Sequence, residues 1–271
     1  MFTKLLKHEW RATRGVIGLL CIIILISGLT IGGVANYMVK AESAASPEAP
    51  MSDLAQIVCV LLVMVGVIAV AVCCAASVFV VIWRFYESRF TDEGYLTFTL
   101  PVNNHQILFS SILNSIFGVL VVIAAAAAAV LIAFALFLLA FPENLIWADV
   151  VVSLEKAMGQ LWDSFMKNWD VLVSVGISAI LAGLSQLIMF MLSVTVGSII
   201  VKKFKILAAV GVYYGIGIVR SFVCGIGIIT TAAMTENVMQ VFSIYDVVAL
   251  ITIVGGYLLM HHLIDRKLNL A

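Results

Sequence analysis

Six long apolar runs are the feature of this chain that most constrains its fold. A helix that crosses a bilayer needs about 20 consecutive apolar residues. Runs that reach or approach this length cover residues 15–39, 54–83, 107–141, 171–201, 206–231 and 244–263. The second and third runs exceed what a perpendicular crossing needs, so we expect those helices to tilt or to extend beyond the bilayer. The pattern predicts an all-α, polytopic integral membrane protein with six transmembrane helices, in a single domain of residues 1–271.

The amino-acid composition agrees with this interpretation. Hydrophobic residues make up 63% of the chain and charged residues 11%, against about 45–50% and about 25% in soluble domains. The formal net charge is zero, so we expect no nucleic-acid partner. The five cysteines all lie in apolar runs, and none has a histidine at ligand spacing. We therefore expect no metal site, no disulfide and no cofactor bound by this chain.

Lysine and arginine residues lie mostly on one side of the predicted topology. With six spans, eleven of them share a side with both termini: Lys4, Lys7, Arg11, Arg14, Arg84, Arg89, Lys202, Lys203, Lys205, Arg266 and Lys267. Only Lys40, Lys156 and Lys167 lie on the opposite side. Because positively charged loops remain in the cytoplasm, we expect both termini and the loop of residues 84–106 to be cytoplasmic.

Two further segments have the periodicity of amphipathic helices. In residues 1–14 the set Phe2, Leu5, Leu6, Trp10 and Thr13 lies opposite the basic set Lys4, Lys7, His8, Arg11 and Arg14. This predicts a short interfacial helix; the alternative is a solvated beginning of the first span. In residues 142–170 the same spacing links Leu154, Met158, Leu161, Phe165 and Trp169, which predicts an amphipathic helix along the extracellular face.

The charged loop between the second and third spans, residues 84–106, reads RFYESRFTDEGYLTFTLPVNNHQ and is called the elbow below. Its charged residues are Arg84, Glu87, Arg89, Asp92 and Glu93. They predict a helix with a charged side that breaks at Gly94, and a second helix that begins after Pro101.

Residues 90–102, FTDEGYLTFTLPV, resemble the first cytoplasmic loop of type-2 ATP-binding-cassette (ABC) exporter permeases of Gram-positive bacteria. The segment DRKLNL at residues 265–270 is similar to the "rKLNL" ending common in those subunits. Six spans and a basic amphipathic beginning also agree, so the resemblance covers the full length, but only these two stretches are distinctive. Such permeases often have a Lys or Arg at the beginning of the third span, where residues 106–111 have none.

The resemblance implies a subunit in a bacterial plasma membrane whose elbow docks into a groove on a separate cytoplasmic ABC ATPase. ATP and Mg²⁺ would bind to that ATPase, and a second permease subunit, identical or homologous, would complete the path. The elbow would contain a coupling helix at residues 87–94, and the N-terminal helix would be a connecting helix beside it. The residues that the resemblance assigns to ATPase coupling are Glu87, Arg89, Phe90, Asp92, Glu93, Gly94 and Tyr95.

The chain itself lacks the motifs of an enzyme. A P-loop ATPase needs G-x-x-x-x-G-K-[ST] to cradle phosphate, and no lysine here has that glycine frame. Arg220 is the only charged residue deep inside a predicted span, where charge is costly. Two interpretations of Arg220 remain open: it lines a translocation path or binds an acidic group of the substrate, or it has a structural pairing or snorkels.

The sequence thus predicts the permease subunit of an ATP-driven exporter of a peptide, lipid or drug-like molecule. One alternative is a secondary transporter or channel outside the ABC class, which usually carries more ionisable groups near the bilayer centre than Arg220 alone. Another is a membrane scaffold or sensor that partners an ATPase without transporting anything.

Overall fold

The computed structural model describes residues 2–44, 52–91, 94, 104–140, 147–201, 204–234 and 238–267. Within these ranges the chain forms seven helices and no strand. They are α1 (Phe2–Ala44), α2 (Asp53–Phe90), α3 (Asn104–Leu138), α4 (Trp147–Lys167), α5 (Trp169–Ile200), α6 (Lys205–Met234) and α7 (Val238–Lys267). All but α4 are long and apolar enough to cross a membrane. The predicted all-α polytopic membrane protein with six transmembrane helices is confirmed.

The basic segment of residues 1–14 does not form a separate helix. α1 continues without interruption from Phe2 to Ala44, because no proline or turn separates the basic segment from the apolar run. The predicted two-sidedness is present: Glu9 and Thr13 are buried, and the basic side chains Lys4, Lys7, His8, Arg11 and Arg14 are exposed. The segment is therefore the beginning of the first candidate span.

The elbow is also partly helical. α2 continues beyond the predicted end of its span at residue 83 and ends at Phe90, and α3 begins at Asn104. The helix predicted within residues 142–170 is present as α4, with Met158 and Trp162 among its exposed side chains. That α4 lies on the extracellular face stays a prediction.

The chain forms two compact units. Unit 1 consists of Met1–Trp10, Ile82–Ile116 and Asp163–Ala271, and unit 2 of Arg11–Val81 and Phe117–Trp162.

In unit 2, small residues bring α1 and α3 into close contact. A Cβ atom added to Gly28 would lie 2.7 Å from Ala129 Cβ, and one added to Gly32 would lie 2.7 Å from Ala133 Cα. One turn further on, Asn36 Nδ2 donates to the Leu136 carbonyl at 2.6 Å. Facing small residues allow two backbones to approach closely in a membrane. The contacts advance in the same direction on both helices, so α1 and α3 are parallel.

In unit 1, α5, α6 and α7 form a three-helix bundle. α5 and α6 are antiparallel: Gly197 of α5 lies against the backbone of Ala209, and Gln186 Nε2 of α5 donates to the hydroxyl of Tyr213. α5 and α7 are parallel, since Ser178 bonds to Asp246 and Ile188 packs on Gly256. Many side chains on the outer faces of these helices are apolar and exposed, as expected of helices surrounded by lipid.

Candidate functional site at the end of helix α2

Two opposite charges lie on the buried faces of α1 and α2 in unit 1. On α1, Glu9 follows Leu5 by one helical turn and is 5% exposed. On α2, Arg89 follows the buried Phe85 by one turn and is 2% exposed. Residues four apart lie on the same face of a helix, so both helices direct their charge into the protein.

The two charges meet each other and the first turns of α3. Arg89 Nη2 lies 2.9 Å from Glu9 Oε1 and donates to the carbonyl of Ile107 at 2.8 Å. It also donates to the hydroxyl oxygen of Ser111. The Ser111 hydroxyl in turn donates to Glu9 Oε1 at 2.7 Å. We call Glu9, Arg89 and Ser111 the ionic cluster.

Each buried charge of the ionic cluster depends on the other members of the cluster for its stabilisation. Removing a charged side chain from water costs several kcal/mol, and the opposite charge offsets this only when further hydrogen bonds complete the geometry. Here Ser111 bonds to both charges and Ile107 accepts from the arginine. The arrangement therefore fixes the beginnings of α1 and α3 against the end of α2.

The beginning of α3 is polar on the face that it buries. Four polar residues on two successive turns of α3 are buried: Ser110, Ser111, Asn114 and Ser115. Ser110 Oγ donates to the Ile107 carbonyl at 2.9 Å, and Ser115 Oγ donates to the Ser111 carbonyl at 2.7 Å. These hydroxyls satisfy themselves within their own helix, as serine commonly does, and give the ionic cluster polar surroundings.

Beyond the ionic cluster the chain makes a turn against the end of α2. The N–H of Gly94 donates to the Thr91 carbonyl at 2.9 Å. A Cβ atom at Gly94 would overlap the backbone carbonyl of Arg89, so only glycine fits in this turn. From α6, Lys205 Nζ donates to the Phe90 carbonyl at 3.0 Å. The end of α2 is thereby tied to α6 as well.

The other side of the elbow, where α3 begins, contacts α7 through a second cluster of polar side chains. The rings of His105 and His261 stack with centroids 3.6 Å apart. His105 Nδ1 lies 3.1 Å from the hydroxyl of Tyr257, and His261 Nδ1 lies 3.1 Å from Asp265 Oδ2. Asn104 Nδ2 donates to the other oxygen of Asp265 at 2.6 Å. Both described sides of the elbow are thus joined to the α5–α7 bundle.

The structure assigns different environments to the residues that the sequence grouped as a coupling site. Glu87 remains accessible: its side chain is 44% exposed and lies 3.3 Å from Arg84. Arg89 is buried within the ionic cluster, so its side chain is not accessible at the surface of the described chain. Phe90 is partly buried, between Phe85 and Tyr86. Gly94 is buried in the turn, while Asp92, Glu93 and Tyr95 lie outside the described residues.

Arg220 is not brought to this site. It lies in the middle of α6, 15 residues beyond Lys205, which corresponds to about 22 Å along the helix axis. Arg220 is therefore not a member of the ionic cluster.

Sequence analysis missed Glu9 and Ser111 as functional residues. A signal for Glu9 was present, since it lies within the apolar stripe formed by Leu5, Leu6 and Thr13. A carboxylate in such a stripe requires a buried partner. No comparable signal distinguishes Ser111 from the serines beside it.

The described part of the chain contains no group of three or more His, Cys, Asp or Glu side chains arranged to hold a metal ion. No protein family, no curated protein and no solved structure matches this chain.

Proposed function

We propose that this chain is the membrane permease subunit of an ATP-driven exporter of the ABC class. It works with cytoplasmic ABC ATPase subunits, which bind ATP and Mg²⁺, and with a second permease subunit in a bacterial plasma membrane. The chain performs no chemistry itself. It converts a displacement of the elbow into a switch of the transport path from inward-open to outward-open.

The observation that carries this proposal is the ionic cluster at the base of the elbow. A loop that only connects two spans has no need of a desolvated ion pair, which costs stability compared with apolar packing. A loop that receives a mechanical displacement needs a rigid attachment, and Arg89 provides one to α1 and α3 together. Lys205 extends the attachment to α6.

The sequence of contacts suggests how the displacement passes on. The ATPase contacts Glu87, whose side chain is accessible, and the acidic residues Asp92 and Glu93 that follow it in the sequence. Arg89 is a positioning residue, because it moves the beginnings of α1 and α3 with α2 without touching the ATPase. The stacked His105 and His261 carry the same movement to α7. The α5–α7 bundle then moves as a rigid body.

Site-specific crosslinking tests whether the elbow contacts an ATPase. A photoreactive residue is placed at Glu93 by the substitution Glu93→benzoylphenylalanine in the full-length chain, within membranes of the source cell. We expect a crosslink to a protein that carries a P-loop. The yield of this crosslink should change when ATP is added. The same substitution at Lys156, which is exposed on α4, is the control and should give no such product. A crosslink only to lipid at Glu93 contradicts the proposal.

The glycine of the turn offers a functional variant with a matched control. In Gly94→Leu the new side chain overlaps the Arg89 backbone, so the turn must shift. We expect the captured ATPase to bind this variant but to lose most of its transport-coupled ATP hydrolysis in proteoliposomes. Gly159→Leu, where no atom lies within 4 Å of the added Cβ, should hydrolyse ATP at the wild-type rate. Equal rates for both variants would exclude the elbow as the point of transmission.

A further inference from the structure

Arg220 lies near the middle of α6, far from both ends of this candidate span. Lys205 is 15 residues before it and Met234 is 14 residues after it, so about 20 Å of helix extends on each side. The residue is half-buried. A charged side chain at such a depth faces protein or a cavity and pairs with an opposite charge or with carbonyl groups.

The face of α6 that carries Arg220 is the face turned towards the other two helices. Cys224 and Ala209, one turn after it and three turns before it, are buried. Gly227 on the same face lies against Ile244 of α7. On the opposite face, Phe222 and Leu207 are 68% and 76% exposed. Arg220 therefore lies on the half of α6 that packs against the bundle.

No carboxylate in the described part of the bundle pairs with this guanidinium. Among the residues that the structure describes, Arg220 forms neither an ion pair nor a hydrogen bond. The carboxylate on α7 that comes nearest in register is Asp246, because Gly227 packs on Ile244. That register places Asp246 about five residues, or about 7.5 Å, along the axis from Arg220. Asp246 instead accepts a hydrogen bond from Ser178 at 3.0 Å.

Two turns before Arg220, on the side of Lys205, α6 carries an aromatic ring that packs on α5. Tyr213 stacks on Phe190 with ring centroids 4.3 Å apart, and its hydroxyl accepts from Gln186 Nε2. Between this ring and Arg220, Met189 approaches Gly217. The described neighbours on this face of α6 are thus largely apolar or aromatic, which favours a molecule with an apolar part.

We infer that Arg220 binds the anionic oxyacid group of an amphiphile, a phosphate or carboxylate that carries an apolar chain. A guanidinium donates two parallel hydrogen bonds to such a group, and the apolar chain would lie along the exposed faces of the bundle. The inference rests on the proposed function, because it makes Arg220 the contact that selects the exported substrate. It names the substrate class as anionic amphiphiles, which include acidic lipids.

Native mass spectrometry of the full-length chain, released from nanodiscs, measures this binding without any ATPase. The probe is phosphatidylglycerol at a small mole fraction in phosphatidylcholine of the same acyl chains. Four chains are compared with wild type: Arg220→Gln, Arg220→Lys, Asp246→Asn and Ser221→Ala. The last substitutes an exposed neighbour on the same helix and is the matched control. Inorganic phosphate in phosphatidylcholine discs tests whether a free anion suffices.

We expect Arg220→Gln to reduce retained phosphatidylglycerol about tenfold, since a charge-assisted bidentate contact is lost. Arg220→Lys should retain part of the binding, because it keeps the charge without the fork. Asp246→Asn and Ser221→Ala should match wild type, and inorganic phosphate should not compete. A thermal unfolding profile of each variant shows that it is folded.

Three outcomes overturn the inference. Unchanged retention in Arg220→Gln removes the site. An Asp246→Asn variant that behaves like Arg220→Gln shows an internal pair of these two residues. A wild-type oligomer that dissociates in Arg220→Gln assigns the guanidinium to a subunit contact. None of these outcomes changes the result expected for the crosslink at Glu93. A failed crosslink likewise does not affect the lipid measurement, so each proposal can be refuted without the other.

Discussion

Glu9 and Arg89 are both withdrawn from water, and each depends on the other. In Glu9→Ala the guanidinium stays buried, and the partners that remain to it among the described residues are Ser111 and the Ile107 carbonyl. Breaking one side of a buried ion pair costs about 3–5 kcal/mol, so we expect a loss of that size in the free energy of unfolding. A thiol-reactive dye measures the unfolding in detergent, since Cys59, Cys73 and Cys224 are buried in the folded chain.

A second ion pair in the same region provides the control. Arg84 and Glu87 lie 3.3 Å apart with the glutamate 44% exposed, and an accessible pair contributes only about 0–1 kcal/mol. Glu87→Ala should therefore unfold almost as the wild type does. The double variant Glu9→Leu, Arg89→Met should recover most of the loss, because apolar residues of similar volume replace a buried pair at little cost. Similar losses in Glu9→Ala and Glu87→Ala would show that the cluster is not desolvated.

At this scale the sequence could indicate that Glu9 needs a partner but not which one. Its place in the apolar stripe is readable from the helical period. Arg84 and Arg89 both belong to the elbow, and five residues separate them, so they point in different directions from α2. Only the packing of α1 on α2 selects Arg89, which lies 80 residues from Glu9 in the chain. The hydrogen bonds of Ser111 to both charges depend on the packing of the helices too, so they could not be predicted from the sequence pattern.

At the scale of elements, the contact of α1 with α3 depends on adjacent glycines that are not equivalent. A Cβ atom at Gly32 would lie 2.7 Å from Ala133 Cα and 2.9 Å from its carbonyl oxygen, whereas no atom lies within 4 Å of one at Gly33. In Gly32→Ile the backbones must separate, because backbone atoms cannot rotate away. We expect a loss of about 1–3 kcal/mol, typical of overpacking, in the same dye assay.

Gly33→Ile adds the same side chain one residue later on the same helix. It should change the free energy of unfolding by no more than about 0.5 kcal/mol. If both variants lose equally, the cause is the helix itself and not the contact with α3.

The elements show where hydropathy is a sufficient guide and where it is not. The six apolar runs predicted the six long helices because burial in lipid requires length and apolar composition alone. Hydropathy also predicted a boundary at residue 14, within what is one continuous helix α1. A charged segment ends an apolar run, but it does not by itself end a helix. The basic segment and the run share one helical period and no proline separates them. Backbone continuity of this kind depends on the absence of a terminating signal.

At the scale of the whole molecule, the proposed function requires the elbow to be cytoplasmic. Six crossings place both termini on one side, and eleven of the fifteen basic residues lie on that side. We expect this side to be the cytoplasm, because basic loops resist transfer across the membrane. Labelling of single added cysteines with a membrane-impermeant maleimide decides the matter. Ser46→Cys, between α1 and α2, should react in intact cells, and Asn269→Cys, after α7, should react only after permeabilisation.

Neither substitution removes a basic residue, so the charge distribution that sets the orientation is unchanged. The wild-type chain, whose five cysteines all lie within candidate spans, is the control for background reaction. Reaction at residue 269 and not at residue 46 in intact cells would place the elbow outside the cell, where no ATP-driven partner could move it. The ionic cluster would then need a different explanation, because its proposed part in transmission depends on a displacement that begins in the cytoplasm.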